Sequence, residues 1–173
     1  MEVLPDLVKV LLPAALVLYG MYLTVNAFLK KDFERRLVDI KLKNTDIILP
    51  LRLQAYERMC LFLERITPNN LILRANNGDF SAPELHGLLL SEIREEFGHN
   101  LSQQVYMSDD AWFQVKGAME EVIVLINNAA GQVGPDARGM DLARRVFETI
   151  IAEEVDPTGR ALKFLKNEVR ENF

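Results

Sequence analysis

VLLPAALVLYGMYLTVNAFL, residues 10–29, is an uncharged, largely apolar run near the start of the chain, and its reading decides the architecture. As a helix rising ~1.5 Å per residue, it spans roughly 30 Å, the thickness of a bilayer's hydrocarbon core. A surface helix of a soluble protein shows a polar face, and this run has hardly any for roughly five turns. It reads as a single-pass membrane anchor, with the lipid bilayer as the partner of residues 10–29. Two alternatives compete for the same residues. A cleaved secretory signal needs a basic start, a shorter apolar stretch and a small-x-small cleavage site. Here the start is Met1-Glu2-Val3-Leu4-Pro5-Asp6, with one Lys9, and the run ends in Asn26-Ala27-Phe28-Leu29-Lys30-Lys31. A buried helix of a soluble bundle tolerates Pro13, Gly20, Thr24 and Asn26 but does not explain the length of the run.

Orientation follows from the flanks. Lys30, Lys31, Arg35, Arg36, Lys41 and Lys43 crowd the C-terminal side, against Lys9 with Glu2 and Asp6 on the other. Lys and Arg are retained on the cytoplasmic face, so the N-terminus is expected outside and the bulk of the chain inside. Asp32, Glu34 and Asp39 dilute the basic field, which makes it a topology signal and not a lipid-specific site.

Beyond the anchor, roughly 140 residues remain, enough for one domain with a modest core. The chain carries 20 basic and 25 acidic residues, a net charge of −5, with no basic tract after the juxtamembrane one. Nucleic-acid binding by phosphate neutralisation is therefore disfavoured. The lone Cys60 excludes an intrachain disulfide and a cysteine-rich zinc site, in keeping with a reducing cytoplasm. Its apolar helical setting reads as burial of a small hydrophobe.

The apolar spacing is helical nearly everywhere, without a convincing alternating strand. Phe33, Leu37, Ile40 and Ile47 suit one face of a helix continuing from the anchor, which Asn44-Thr45-Asp46 is expected to loosen or end. Pro50 can begin the next helix, with Leu53, Tyr56, Cys60, Leu63 and Ile66 as its stripe and Arg52, Glu57, Arg58, Glu64 and Arg65 on the wet side. Thr67-Pro68-Asn69-Asn70 stops it. Leu71-Ile72-Leu73 suits a short strand or a helical turn, and 75–81, with Asn76-Asn77-Gly78-Asp79, is a loop. Ser81-Ala82-Pro83-Glu84 has the capping-box form and predicts a helix to about Val105, burying Leu85, Leu88, Leu89, Ile93, Phe97 and Leu101.

After a tight connection at Tyr106-Met107-Ser108, Ser108 or Asp109 can cap a helix whose stripe is Trp112, Val115, Met119, Val122, Ile123 and Ile126. Two helices joined so closely should pack antiparallel. Gly131-Gln132-Val133-Gly134-Pro135-Asp136 is a break. Met140, Ala143, Val146 or Phe147, and Ile150 or Ile151 mark a further helix. Asp156-Pro157 predicts a last helix from Pro157 that buries Leu162, Leu165 and Val169. The expected fold is all-α, a single N-terminal transmembrane helix followed by an antiparallel helical bundle. Its divisions are 1–29, an N-terminal tail and anchor; 30–49, a juxtamembrane helix or linker; and 50–173, a cytoplasmic helical domain. Neither an internal repeat nor a low-complexity segment stands out.

Chemical motifs are few. Glu96 and His99, at i and i+3, are neighbours on one helix face and form the half-motif by which ferritin-like bundles bind two metal ions. The second half is missing, because the other histidine, His86, has Pro83 three residues before it. Glu57, Glu64, Glu92, Glu120 and Glu121 are the available further carboxylates, in a pattern typical of solvated helix faces. Asn100, Ser102, Gln103 and Gln104 extend a polar cluster from His99. Together His99, Asn100, Gln103 and Gln104 are the candidate interaction surface, with exposed helix-end amides as the plain alternative. Gly131-x-x-Gly134 lacks both the preceding strand and the Gly-Lys-Ser/Thr ending of a phosphate loop. No catalytic or cofactor-binding residue can be assigned, and no cofactor is expected.

Two segments carry a resemblance, QAYERMCLFLERITPNNL at residues 54–71 and IREEFGHNLSQQ at 93–104. They resemble an uncharacterised bacterial family of short membrane-anchored helical proteins, with the similarity extending over the anchor and most of the chain. The resemblance implies a bacterial inner-membrane protein with a cytoplasmic helical domain, and it brings no activity, cofactor or site residue. An anchor and a folded domain without a chemical constellation point to a non-enzymatic adaptor or accessory subunit, working through a protein partner or self-association at the cytoplasmic face. The alternative is a metal-binding helical-bundle enzyme or sensor using Glu96 and His99.

Overall fold

In the computed structural model, residues 3–75 and 79–172 are described, with 3–14, 37–45 and 172 described as backbone only. Regular structure among them is helical: α1 (Val3–Ile66), α2 (Pro68–Ala75), α3 (Ala82–Asn100), a 3-10 segment (Leu101–Tyr106), α4 (Asp109–Ala130), α5 (Gly139–Glu153) and α6 (Gly159–Asn172). The chain divides into two compact units, Met1–Ile48 and Leu49–Phe173.

The first unit is the greater part of α1. Apolar residues from Leu16 to Phe33 are exposed on every side of the helix, Leu16, Val17 and Leu18 among them. Thr24 donates its hydroxyl to the Gly20 carbonyl at 2.8 Å, so its polar group is satisfied within the helix. Among the described residues no helix is long and apolar enough to cross a membrane. The beginning of the apolar run, 10–14, lies outside the residues described with side chains. The remainder, 15–29, is shorter than the ~20 residues a span requires.

The second unit is a helical bundle with one core. Ala55, Tyr56, Met59, Phe62, Leu63 and Ile66 of α1, Leu71 and Ile72 of α2, Leu85, Leu89 and Ile93 of α3, Val115, Val122 and Ile126 of α4, Leu142 and Val146 of α5, and Ala161 and Leu165 of α6 are all buried. Their recurrence at three and four residues puts each set on one helix face. Phe97 joins α1 to α4, with ring centroids 5.6 Å from Phe62 and 5.3 Å from Trp112.

Caps set the helix limits. Ser81 and Glu84 form the expected reciprocal box, the Ser81 amide donating to Glu84 Oε2 at 2.9 Å and the Glu84 amide to Ser81 Oγ at 3.4 Å. Ser108 accepts from the Ala111 amide at 3.0 Å and starts α4. At the end of α1 the Glu64 carbonyl accepts from both Thr67 Oγ1 and Asn70 Nδ2, which closes the helix before Pro68 opens α2. An isolated antiparallel bridge pairs Ser81 with Arg138, and there the Gly139 amide donates to the Phe80 carbonyl at 2.7 Å. A Cβ on Gly139 would stand 2.9 Å from that same oxygen, so the close approach requires glycine.

Several expectations are corrected. Asn44-Thr45-Asp46 does not end a helix and Pro50 does not begin one, since α1 runs unbroken through both. Proline's own φ suits a helix, and the cost is the missing amide bond to the Asp46 carbonyl, while the following turns are fixed by their core face. The stripe expected on α1 holds at Tyr56, Leu63 and Ile66, but Leu53 is exposed and Cys60 half-buried, and Ala55, Met59 and Phe62 are buried beside it. For residues 71–73 the helical of the two expected readings holds, since they are part of α2. Of the loop at 75–81, Asn76, Asn77 and Gly78 lie outside the described residues. Helix α3 stops at Asn100 and not near Val105, tightening into the 3-10 segment, and Leu101 is exposed. Met140 is exposed while Leu142 is buried. Asp156 does cap the last helix, accepting from the Gly159 amide at 2.9 Å, but α6 begins at Gly159 and not at Pro157.

Candidate functional site

Both functional suggestions of the sequence converge on the C-terminal end of α3. The i, i+3 spacing puts Glu96 and His99 near one another at the end of α3. Glu96 turns toward α1 and meets Arg65, Nε to Oε2 3.1 Å, with its carboxylate half-buried, while His99 is exposed. Glu96 is thus the anionic half of an ion pair between α1 and α3. Among the described residues no group of three or more His, Cys, Asp or Glu side chains is placed to hold a metal ion. His86 lies elsewhere on α3 and pairs with α4, Nε2 to Asn127 Oδ1 2.7 Å.

The polar cluster divides in the same way. Asn100 is buried, and its side-chain amide donates to the Glu96 carbonyl at 2.8 Å, which fills the end of α3 instead of facing outward. His99, Ser102 and Gln104 are exposed and Gln103 is half-buried, its amide 3.4 Å from Ser102 Oγ. The tight winding of the 3-10 segment brings apolar residues out beside them, with Leu101, Val105 and Tyr106 exposed and Val105 the most so at 76%. Arg52 Nε donates to the Tyr106 carbonyl at 3.2 Å, and the Ser108 amide donates to Tyr56 Oη at 3.4 Å, tying the segment to α1. The result is a mixed polar and apolar patch held on a firm support.

A second concavity escapes any reading of local sequence. Leu53, Tyr56, Glu57 and Cys60 of α1 and Leu165, Lys166, Val169 and Arg170 of α6 line an open groove of about 290 Å³. It is the flank of the α1 stripe that the core leaves uncovered. Burial pushes the Cys60 thiol above its usual range; Lys166 opposes the shift and Glu64 adds to it. A thiol held neutral in this way is a poor nucleophile. The groove depends on α1 and α6 meeting across about a hundred residues of chain, a juxtaposition helix periodicity does not report.

No curated protein and no solved structure matches the chain. A family model described as a family of unknown function, DUF7935, matches residues 2–172. Coverage from the first unit through the last helix shows that the chain belongs to that family, whose function is unknown.

Proposed function

We propose that the protein is a non-enzymatic, membrane-anchored helical adaptor or accessory subunit, held in a bacterial inner membrane by residues 10–29. Its N-terminus lies outside, and its bundle works at the cytoplasmic face through protein contacts. The observation that carries this reading is the unrelieved exposure of apolar side chains around α1: Leu16, Val17, Leu18, Tyr19, Met21, Tyr22, Leu23 and Val25 all lie open. A helix apolar on all sides in water leaves a surface far larger than the few hundred Å² that soluble proteins expose, and a bilayer is the solvent it suits. The basic flank from Lys30 supports the orientation. For the bundle, the Arg65 pairing of Glu96 and the raised thiol of Cys60 favour contact over catalysis. The exposed patch from His99 to Tyr106 is the preferred surface for a partner.

The test is affinity purification of the full chain from native membranes in mild detergent, with mass spectrometry, alongside protease treatment of sealed inverted vesicles. Digestion of the bundle from the cytoplasmic side and a partner lost on Val105→Asp are expected. A bundle protected in inverted vesicles contradicts the orientation, and a chain that enriches no partner contradicts the adaptor reading.

A further inference from the structure

The outer face of α4 is complementary to itself. At ~100° per residue, Asp110, Phe113, Gly117, Val124 and Asn128 fall within roughly 60° of one another on the helix surface. Phe113 is 73% exposed and Val124 54%, and Asp110 and Asn128 are exposed at the two ends of the row. Between the apolar pair lies open space, since a Cβ added at Gly117 meets nothing within 4 Å. Lys116 and Glu120, both exposed, stand one turn apart along one flank of the row. On the other flank Arg160 of α6 already holds Glu121, Nη2 to Oε1 2.7 Å. Each kind of group has its complement at the same distance from the middle of the helix: Asp110 and Asn128, Phe113 and Val124, and Lys116 and Glu120 all balance about Ala118 and Met119.

We propose that this face of α4 is a dimer interface, and that its occupant is the same face of a second copy of the chain, laid antiparallel. A two-fold pair brings residue i of one copy to residue j of the other and j to i, so a face pairs with itself where complements sit at mirror positions. Antiparallel α4 helices crossing at Ala118 and Met119 set Phe113 on Val124 of the second copy, Lys116 against its Glu120, and the Asp110 carboxylate beside its Asn128 amide, each contact made twice. Gly117 at the crossing lets the two backbones approach. A parallel pair sets Lys116 on Lys116, Glu120 on Glu120 and Asp110 on Asp110, like against like. The interface is one helix wide, at the small end of specific contacts, below about 1,200 Å². The dimer is therefore weak, with Phe113 as its apolar anchor and the charges fixing its direction. It lies wholly within the second unit and holds with or without the membrane anchor.

The test is disulfide crosslinking of the full chain in the cells that produce it, in a Cys60→Ala background. The two copies' Gly117 positions face each other across the two-fold, roughly 4.5 Å apart along the helix direction and within disulfide reach. Gly117→Cys alone is expected to crosslink under mild oxidation. Asp110→Cys and Asn128→Cys each stand roughly 27 Å from their own counterpart in the second copy. Each should fail to crosslink alone, yet the two should crosslink when both variants, differently tagged, are produced together. Lys116→Glu or Glu120→Lys should lower the Gly117→Cys crosslink several-fold, and the two reversals combined should restore it. Absence of the Gly117→Cys crosslink overturns the dimer, as does crosslinking of Asp110→Cys and Asn128→Cys alone as readily as together. Reversals whose combination restores nothing overturn the antiparallel pairing.

Discussion

Two stretches of one helix are both rich in apolar side chains and meet opposite fates. At the N-terminal end of α1, Leu16, Val17 and Leu18 are 63%, 71% and 67% exposed; near its C-terminal end Met59, Phe62 and Leu63 are fully buried. Three successive residues point in three directions about 100° apart, so the first stretch is apolar all round. The second buries most of its apolar residues on one side, Leu53 and Leu61 excepted, with Glu57, Arg58, Glu64 and Arg65 exposed. A one-sided stripe is satisfied by neighbouring helices of the same chain. An all-round one needs an apolar solvent or a partner on every side.

The contrast breaks most sharply with one substitution made twice. Phe62→Ala leaves a cavity beneath Phe97 and should cost about 3–5 kcal/mol, measured by denaturant unfolding of the full chain in detergent followed by Trp112 fluorescence. Phe28→Ala, on an exposed residue of the first stretch, should leave that transition unmoved. Next in size, Gly139→Ala forces a methyl against the Phe80 carbonyl and Leu85, an overpacking cost of about 1–3 kcal/mol in the same assay.

Ser81→Ala removes the cap of α3 and should cost about 0.5–2 kcal/mol at neutral pH. The cap also carries a pH signature. Hydrogen bonds from the Ser81 backbone, then from its side chain, lower the Glu84 carboxyl below the usual range. This contribution is full above the unfolded pKa and is lost as pH falls through the lowered folded one. Stability should therefore decline with acidification more in the wild type than in Ser81→Ala. Smallest and of opposite sign, Glu154→Gly should stabilise by under about 1 kcal/mol. Glu154 ends α5 in the left-handed region at φ 49°, where glycine sits without strain.

What the sequence discloses follows the same division. The box at Ser81 and Glu84, the cap at Ser108 and the α4 stripe are legible because each is a local pattern with a local cause. Pro50 and Asn44-Thr45-Asp46 mislead because a propensity of a few kcal/mol yields to the helix on either side. Asn100 looks like surface because amides usually are, and only the end of α3 shows the carbonyl it satisfies. On α1, Tyr56, Leu63 and Ile66 are read correctly, while Leu53 and Cys60 are misplaced because they fit a helical spacing as well as Ala55 and Met59 do. Which flank is covered depends on where α6 packs. The Arg65 partner of Glu96, thirty-one residues earlier, is a contact that spacing along α3 does not show.

The anchor is tested most directly by alkaline carbonate extraction of membranes from cells producing the full chain, with the chain traced in pellet and supernatant. Retention in the pellet, lost when Leu18→Arg and Leu23→Arg place two charges in the run, is the expected result. Release of the unmodified chain into the supernatant would contradict it, and the apolar faces of α1 would then have to be covered by protein.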